Sequence, residues 1–241
     1  MTARFRWVSC QLEELRPCIT PGELKEVLGS LPTTLGETYE RILDRIPEHR
    51  CKYVLHVLQW LAFSARPVTL RELAAALEFD IGNGSPVNDD DRVRDPRAVL
   101  NMCSSLVTIA PGRVDKDDAQ IQLSHLSVQN YLTSDQIQTG KVKRFGFSAK
   151  SAHTLIGRTC LFILLRLDRP DGWESFAALN SPLALYAAKH WIQHVLSGEI
   201  ASSGEVEHHM RALFQPQSAQ FINWIRLYDI DLLPWHHQTQ L

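Results

Sequence analysis

His190 and His194 stand four residues apart, so a helix would carry both on one face, a spacing at which two imidazoles can hold zinc. No third ligand lies near them in the sequence. The simpler expectation is a pair of histidines flanking a packed Trp191. His208 and His209 adjoin Glu207, but neighbouring helical residues point to different faces. Asp89, Asp90 and Asp91 form one acidic cluster, and Asp115, Asp117 and Asp118 another. Neither has the glycine and terminal glutamate of a calcium loop, so both read as solvated loops. The five cysteines (Cys10, Cys18, Cys51, Cys103 and Cys160) are odd in number and never spaced as Cys-x-x-Cys. They are expected to be reduced and mostly buried thiols. No metal site is expected.

Other chemistry is missing from the pattern. A phosphate cradle of the form G-x-x-x-x-G-K-[ST] needs glycines that let backbone N–H groups converge on oxygens. The only Gly-Lys pair, Gly140-Lys141, is followed by Val142 and lacks the preceding glycine. Neither a G-x-S-x-G turn nor an H-E-x-x-H helix is present. No nucleophile–base pair is visible, so the chain is not expected to be an enzyme.

The elements around these residues are mainly helices, each opened by capping chemistry. Thr20-Pro21-Gly22-Glu23 supplies a hydroxyl N-cap, a proline at the first helical position and a glutamate three residues on. Thr34-Leu35-Gly36-Glu37 repeats that signature and predicts a helix with the stripe Leu35, Tyr39, Ile42, Leu43 and Ile46, ended by Pro47. A helix from about His49 to Ser64 carries Val54, Val57, Leu58, Trp60 and Leu61. After a break at Arg66-Pro67-Val68, Thr69-Leu70-Arg71-Glu72 opens the next. Two helices joined by so short a link form a helix-turn-helix unit.

Residues 81–91 read as a loop, and a helix follows from about Pro96 to Ser104. Leu106-Val107-Thr108-Ile109 and Ile121-Gln122-Leu123 are short strand-like runs around a polar loop. Helix, turn, helix, helix and hairpin is the order of a winged helix. Ser127 is the expected N-cap of a short helix to about Asp135. Gly140 to Lys143 reads as a linker. Helices resume at about 148–167, 182–196, 206–213 and 218–228. The tail from Pro234 to Leu241 reads as disordered. No internal repeat is detected.

Bulk properties bound the function. The chain has 241 residues, 44% hydrophobic and 22% charged, with a formal net charge of −2. That length suits one large domain or two small ones. Nucleic-acid binders usually carry a basic excess, which is absent here. The second helix of the helix-turn-helix, Leu70 to Phe79, sets Arg71 against Glu72, Glu78 and Asp80. Protein packing is favoured for it over a DNA-binding winged helix, which stands as the alternative. No apolar run approaches the ~18 residues that span a bilayer, and no signal-peptide core is present. A cytoplasmic protein without nucleic-acid or membrane partners is expected.

Several segments together resemble fungal NACHT-type (STAND, NLR-like) signalling NTPases. Phe5-Arg6-Trp7-Val8-Ser9-Cys10-Gln11-Leu12-Glu13-Glu14-Leu15 resembles the helix closing their nucleotide-binding core. Leu31 to Leu43 is similar to the helical lid that follows. Leu58 to Pro67, Leu70 to Ala74, Cys103 to Val107 and His125 to Leu132 resemble the winged helix named after GPI inositol-deacylase. Leu183 to Trp191 and Tyr228 to Asp231 are similar to the helical region ahead of a repeat array.

The resemblance implies a mainly α fold, a winged helix flanked by helical bundles. It divides the chain into a core-closing helix (1–18), a lid (19–47), a winged helix (48–140), a helical domain (145–232) and a tail (233–241). It implies a non-catalytic regulatory module that relays nucleotide state in immunity-like or cell-death signalling. The ATPase core would precede residue 1 and ankyrin-type repeats would follow about residue 230, so the chain reads as a fragment or truncated product. Its expected partners are proteins: that core, a repeat domain or further copies. No cofactor is expected in this chain; ADP or ATP would be held by the core. Of the site residues only His125 is implied, as the winged-helix histidine reaching the β-phosphate of ADP. Tyr131 in the same motif is expected to pack.

Overall fold

The computed structural model describes residues 3–80, 85–86, 95, 97–110, 119–167, 182–198 and 204–228. The clusters Asp89–Asp91 and Asp115–Asp118 and the tail from Pro234 lie outside them.

Four helices lead the chain: α1 (Ala3–Leu15), α2 (Pro21–Gly29), α3 (Leu35–Asp44) and α4 (Glu48–Phe63). The expected caps set their starts. Thr20 accepts the Glu23 N–H, and Thr34 and Glu37 close a reciprocal box, each satisfying a donor the helix leaves open. Such a cap stabilises a helix by about 1 kcal/mol. The α3 stripe buries Tyr39 and Leu43.

The winged helix follows. β1 (Val68–Thr69) leads directly into α5 (Leu70–Ala76), and β2 (Phe79–Asp80) pairs antiparallel with β3 (Ser85–Pro86). α6 (Ala98–Cys103) precedes the hairpin β4 (Val107–Ile109) and β5 (Gln120–Leu123). The sheet order is β1-β5-β4, with Val68 opposite Ile121 on one side and Ile109 opposite Ile121 on the other. Three strands are not expected from the sequence: Val68 lies in the expected break and Thr69 at the expected cap, Phe79 ends the expected helix, and Ser85-Pro86 lies in the expected loop, because two residues are too few to show alternation. α7 (Leu126–Leu132) and a separate α8 (Asp135–Thr139) replace the single helix expected to Asp135.

The trailing helices are α9 (Ala149–Leu165), α10 (Ala184–Ser197), α11 (Gly204–Leu213) and α12 (Ala219–Tyr228). Trp191 and Trp224 meet edge-on at 5.6 Å, and the Trp224 indole donates to the Ala188 carbonyl at 3.1 Å. These contacts join α10 to α12.

One apolar core runs through both halves. α4 is its axis. Val54, Val57, Leu58 and Trp60 are fully buried, because α6, β5 and α9 pack around them. The segment expected to be a linker is part of this core: Val142 and Phe145 are fully buried. At the seam, Trp60 and Tyr186 rings lie 5.3 Å apart and Phe63 meets Phe147 at 6.2 Å. No helix among the described residues is long and apolar enough to cross a membrane.

Candidate functional site

His125, and not Ser127, is the N-cap of α7. Its extended backbone turns the imidazole back so that Nδ1 accepts the Ser127 N–H at 3.1 Å. Serine is the commoner cap, which is why Ser127 was expected there. The Ser127 hydroxyl instead lies 2.6 Å from the same Nδ1. Its other neighbour is the Tyr39 hydroxyl, at 2.8 Å. Tyr39 comes from α3, so that helix and the winged helix meet at this point.

The backbone N–H of Ser127 can only donate. Nδ1 must therefore present its lone pair, and the neutral ring carries its hydrogen on Nε2. His125 is half-buried, and Tyr39 and Arg6 of the neighbouring helices are buried. Behind it, Arg6 of α1 donates to the Ser105 carbonyl. Burial pushes the Tyr39 phenol above its ordinary range, while the contacts with Ser127 and Arg6 pull the other way. Tyr131 packs its ring 5.6 Å from Tyr39 and is buried. Sequence reasoning singled out His125 but not Arg6, Tyr39 or Ser127 as its support. The one local signal was the His-x-Ser spacing, since the other two partners arrive from distant helices.

Ser127 and His125 do make a nucleophile–base contact that was not seen in the sequence. Its geometry is that of a relay. The serine oxygen is held by Tyr39 on one side, and the same Nδ1 already takes a backbone N–H.

α1 is fixed to the C-terminal end of α3 by a two-pronged Arg45–Glu14 pair, at 2.5 and 2.7 Å. A cavity of about 630 Å³ opens beside it. Arg41 there bonds the Ser30 carbonyl, so the guanidinium groups do not converge on a common point. The opposite face of α1 leaves Phe5, Val8 and Leu12 exposed at helical spacing.

His190 and His194 make different contacts, although they share one helix. His194 is fully buried, with Nδ1 2.8 Å from His153 Nδ1 and Nε2 2.9 Å from the Tyr186 hydroxyl. His190 instead leans on the Tyr186 ring at 4.8 Å. Two nitrogens 2.8 Å apart are hydrogen-bonded, and no group of metal-binding side chains occurs among the described residues. His153 was missed; its phase with Ile156 and Cys160 on α9 was the signal that marked it as inward-facing. His208 and His209 lie side by side on α11, with ring centroids 6.0 Å apart. All five cysteines are free, and three are buried.

The helix-turn-helix charge pattern differs from expectation at Glu72. It is buried and closes a capping box with Thr69 while pairing with Arg66. It is therefore absent from the face that carries Arg71. Arg71 is the one basic residue of α5, and nothing in the arrangement favours DNA reading.

Residues 43–142 match the family described as GPI inositol-deacylase, winged helix domain. The chain is also similar to the "Azaphilone pigments biosynthesis cluster protein L" of Monascus ruber, 34% identical over 211 residues. That similarity covers 87% of this chain but 44% of the relative, so the chain spans less than half the relative's length. No solved structure matches it significantly.

Proposed function

We propose that this chain is a non-catalytic regulatory module of a NACHT-type signalling switch. In it, the lid and winged helix close over a nucleotide-binding core supplied by another segment or chain. The carrying observation is the meeting of α3 and the winged helix at His125, where Ser127 Oγ lies 2.8 Å from the Tyr39 hydroxyl and 2.6 Å from His125 Nδ1. The resemblance makes His125 the residue that reaches a phosphate oxygen of ADP, and an imidazole N–H can donate to one. ADP would then hold the winged helix against the core, and loss of that contact would release it.

Two further features support the reading. Phe5, Val8 and Leu12 form an exposed apolar stripe on α1, the helix that the resemblance places against the core. The described residues also contain no glycine-rich phosphate loop, which leaves nucleotide capture to that core. The partners are proteins, and the setting is cytoplasmic.

Calorimetry tests the proposal. The chain alone binds neither ADP nor ATP in the micromolar range. Joined to a P-loop core, it slows ADP release, and His125→Ala restores fast release. Micromolar binding by the chain alone, or ADP release unchanged by the substitution, would refute the proposal.

A further inference from the structure

Tyr186 is fully buried, and its hydroxyl stands between two partners. The Ala65 N–H can only donate to it, at 2.9 Å, so the oxygen accepts there. The other partner is His194 Nε2, also at 2.9 Å. Among the described residues it is the one acceptor in reach of the phenolic hydrogen, so Nε2 takes that hydrogen. The reverse arrangement would strand a buried O–H. A neutral His194 then carries its own hydrogen on Nδ1, which faces Nδ1 of His153 at 2.8 Å. His153 accepts it and keeps its hydrogen on Nε2. The hydrogen bonds thus run one way, from the turn before β1, through α10, to His153 on α9.

We infer that these four residues form an acid-released latch: they tie the turn before β1 to α10 and α9, and uptake of one proton opens the tie at His153. Every acceptor on the two rings is in use. His194 Nε2 holds the phenolic hydrogen, and His153 Nδ1 holds the His194 hydrogen. A proton entering at His194 Nε2 displaces the phenol inside the core. A proton entering at His153 Nδ1 sets two hydrogens against each other across 2.8 Å. His194 is fully buried and His153 only half-buried, so hydration of the new charge selects His153. Its ring swings toward water as an imidazolium. The His194 Nδ1–H is left without its acceptor, and the join between α9 and α10 loosens there.

The surroundings set where this happens. Burial disfavours a proton on both rings, and on His194 the neighbouring His153 and His190 add to that. Arg66 and Lys189 oppose a charge on His190, and Glu72 favours one. α4 presents the apolar Phe63 ring, 5.4 Å from His153. No charged side chain of α4, α11 or α12 perturbs either ring. The latch therefore stays shut at neutral pH and opens below the ordinary histidine value of 6.5.

The latch does not depend on the proposed function, and NMR of the ¹⁵N-labelled chain tests it from mildly alkaline to mildly acidic pH. At the alkaline end His194 is expected to show protonated Nδ1 and bare Nε2, and His153 the opposite. A nitrogen–nitrogen coupling across the hydrogen bond should join the two Nδ1 atoms. As pH falls, His153 is expected to become doubly protonated before His194, while the amide spectrum is still that of the folded chain. The coupling should vanish and the Ala65 amide should shift in that same step. In His153→Phe, the Ala65 shift over that step should be lost. The wild-type titration decides the matter even if the variant does not fold. Opposite tautomers, no coupling at the alkaline end, or a coupling that survives protonation of His153 would overturn the latch. So would protonation of His194 first, an Ala65 amide that does not move, or global unfolding before His153 titrates.

Discussion

The Nδ1 atoms of His153 and His194 face each other across 2.8 Å, one on α9 and the other on α10. Only one hydrogen fits in that gap. Burial lowers the His153 pKa. Burial first, then the neighbouring His153 and His190, push His194 from an ordinary value of 6.5 down to about 4. Burial alone pushes His56 of α4 down to about 3.

These shifts predict acid sensitivity. Unfolded histidines take up protons as pH falls through about 6.5, while the folded ones stay neutral. The stability they confer is complete above that value. It is lost as pH falls toward 4 for His194 and toward 3 for His56, at up to roughly 1.4 kcal/mol per pH unit for each group. Thermal melts across this window should show a falling Tm. His56→Leu should flatten the fall below pH 5 without loss at neutral pH, because His56 Nε2 is buried with no hydrogen-bond partner. A Tm independent of pH between 6.5 and 4 would contradict the assignment.

Tyr186→Phe should destabilise the seam between the winged helix and the trailing helices. Its hydroxyl accepts the Ala65 N–H at 2.9 Å and meets His194 Nε2 at 2.9 Å. Removing it strands two groups, at a cost of about 1–3 kcal/mol. Urea denaturation measures this, and a change within experimental error would show that the seam tolerates the loss.

Glu72→Ala should cost about 2 kcal/mol, since it removes both the capping contact at Thr69 and the pairing with Arg66. Glu72→Gln keeps the capping geometry and should recover part of it. Equal stabilities for the two variants would assign the whole effect to the ion pair.

Ser127 and His125 invite a hydrolase assay. Hydrolysis of an ester panel by the purified chain should not exceed the buffer rate, and Ser127→Ala should leave it there. The serine lies between Tyr39 and His125 as a relay member. Turnover that Ser127→Ala abolishes would establish a catalytic role and overturn the regulatory reading.

Local chemistry was the most readable part of the sequence. The boxes at Thr34–Glu37 and Thr69–Glu72 need only residues three apart, and both formed. Stripes such as Leu35, Tyr39 and Leu43 were legible because helical periodicity repeats over several turns. β1 was not, since its identity depends on Ile121, more than fifty residues away. Glu72 was recognised as a cap but not as buried, because burial is decided by Arg66 and the packing above it. At the candidate site, His125 was visible through its spacing from Ser127. Tyr39 and Arg6 reach it from helices whose order in the chain gives no hint of their meeting.

The long helix α4 is shared property. Trp60 and Phe63 face Tyr186 and Phe147, while Val57 and Leu58 lie in the same continuous core. A polypeptide cut after residue 140 would leave those aromatic rings in water. The winged portion is therefore not a detachable bead on a string. Any motion of the trailing bundle must carry the sheet with it, as a handle carries its blade.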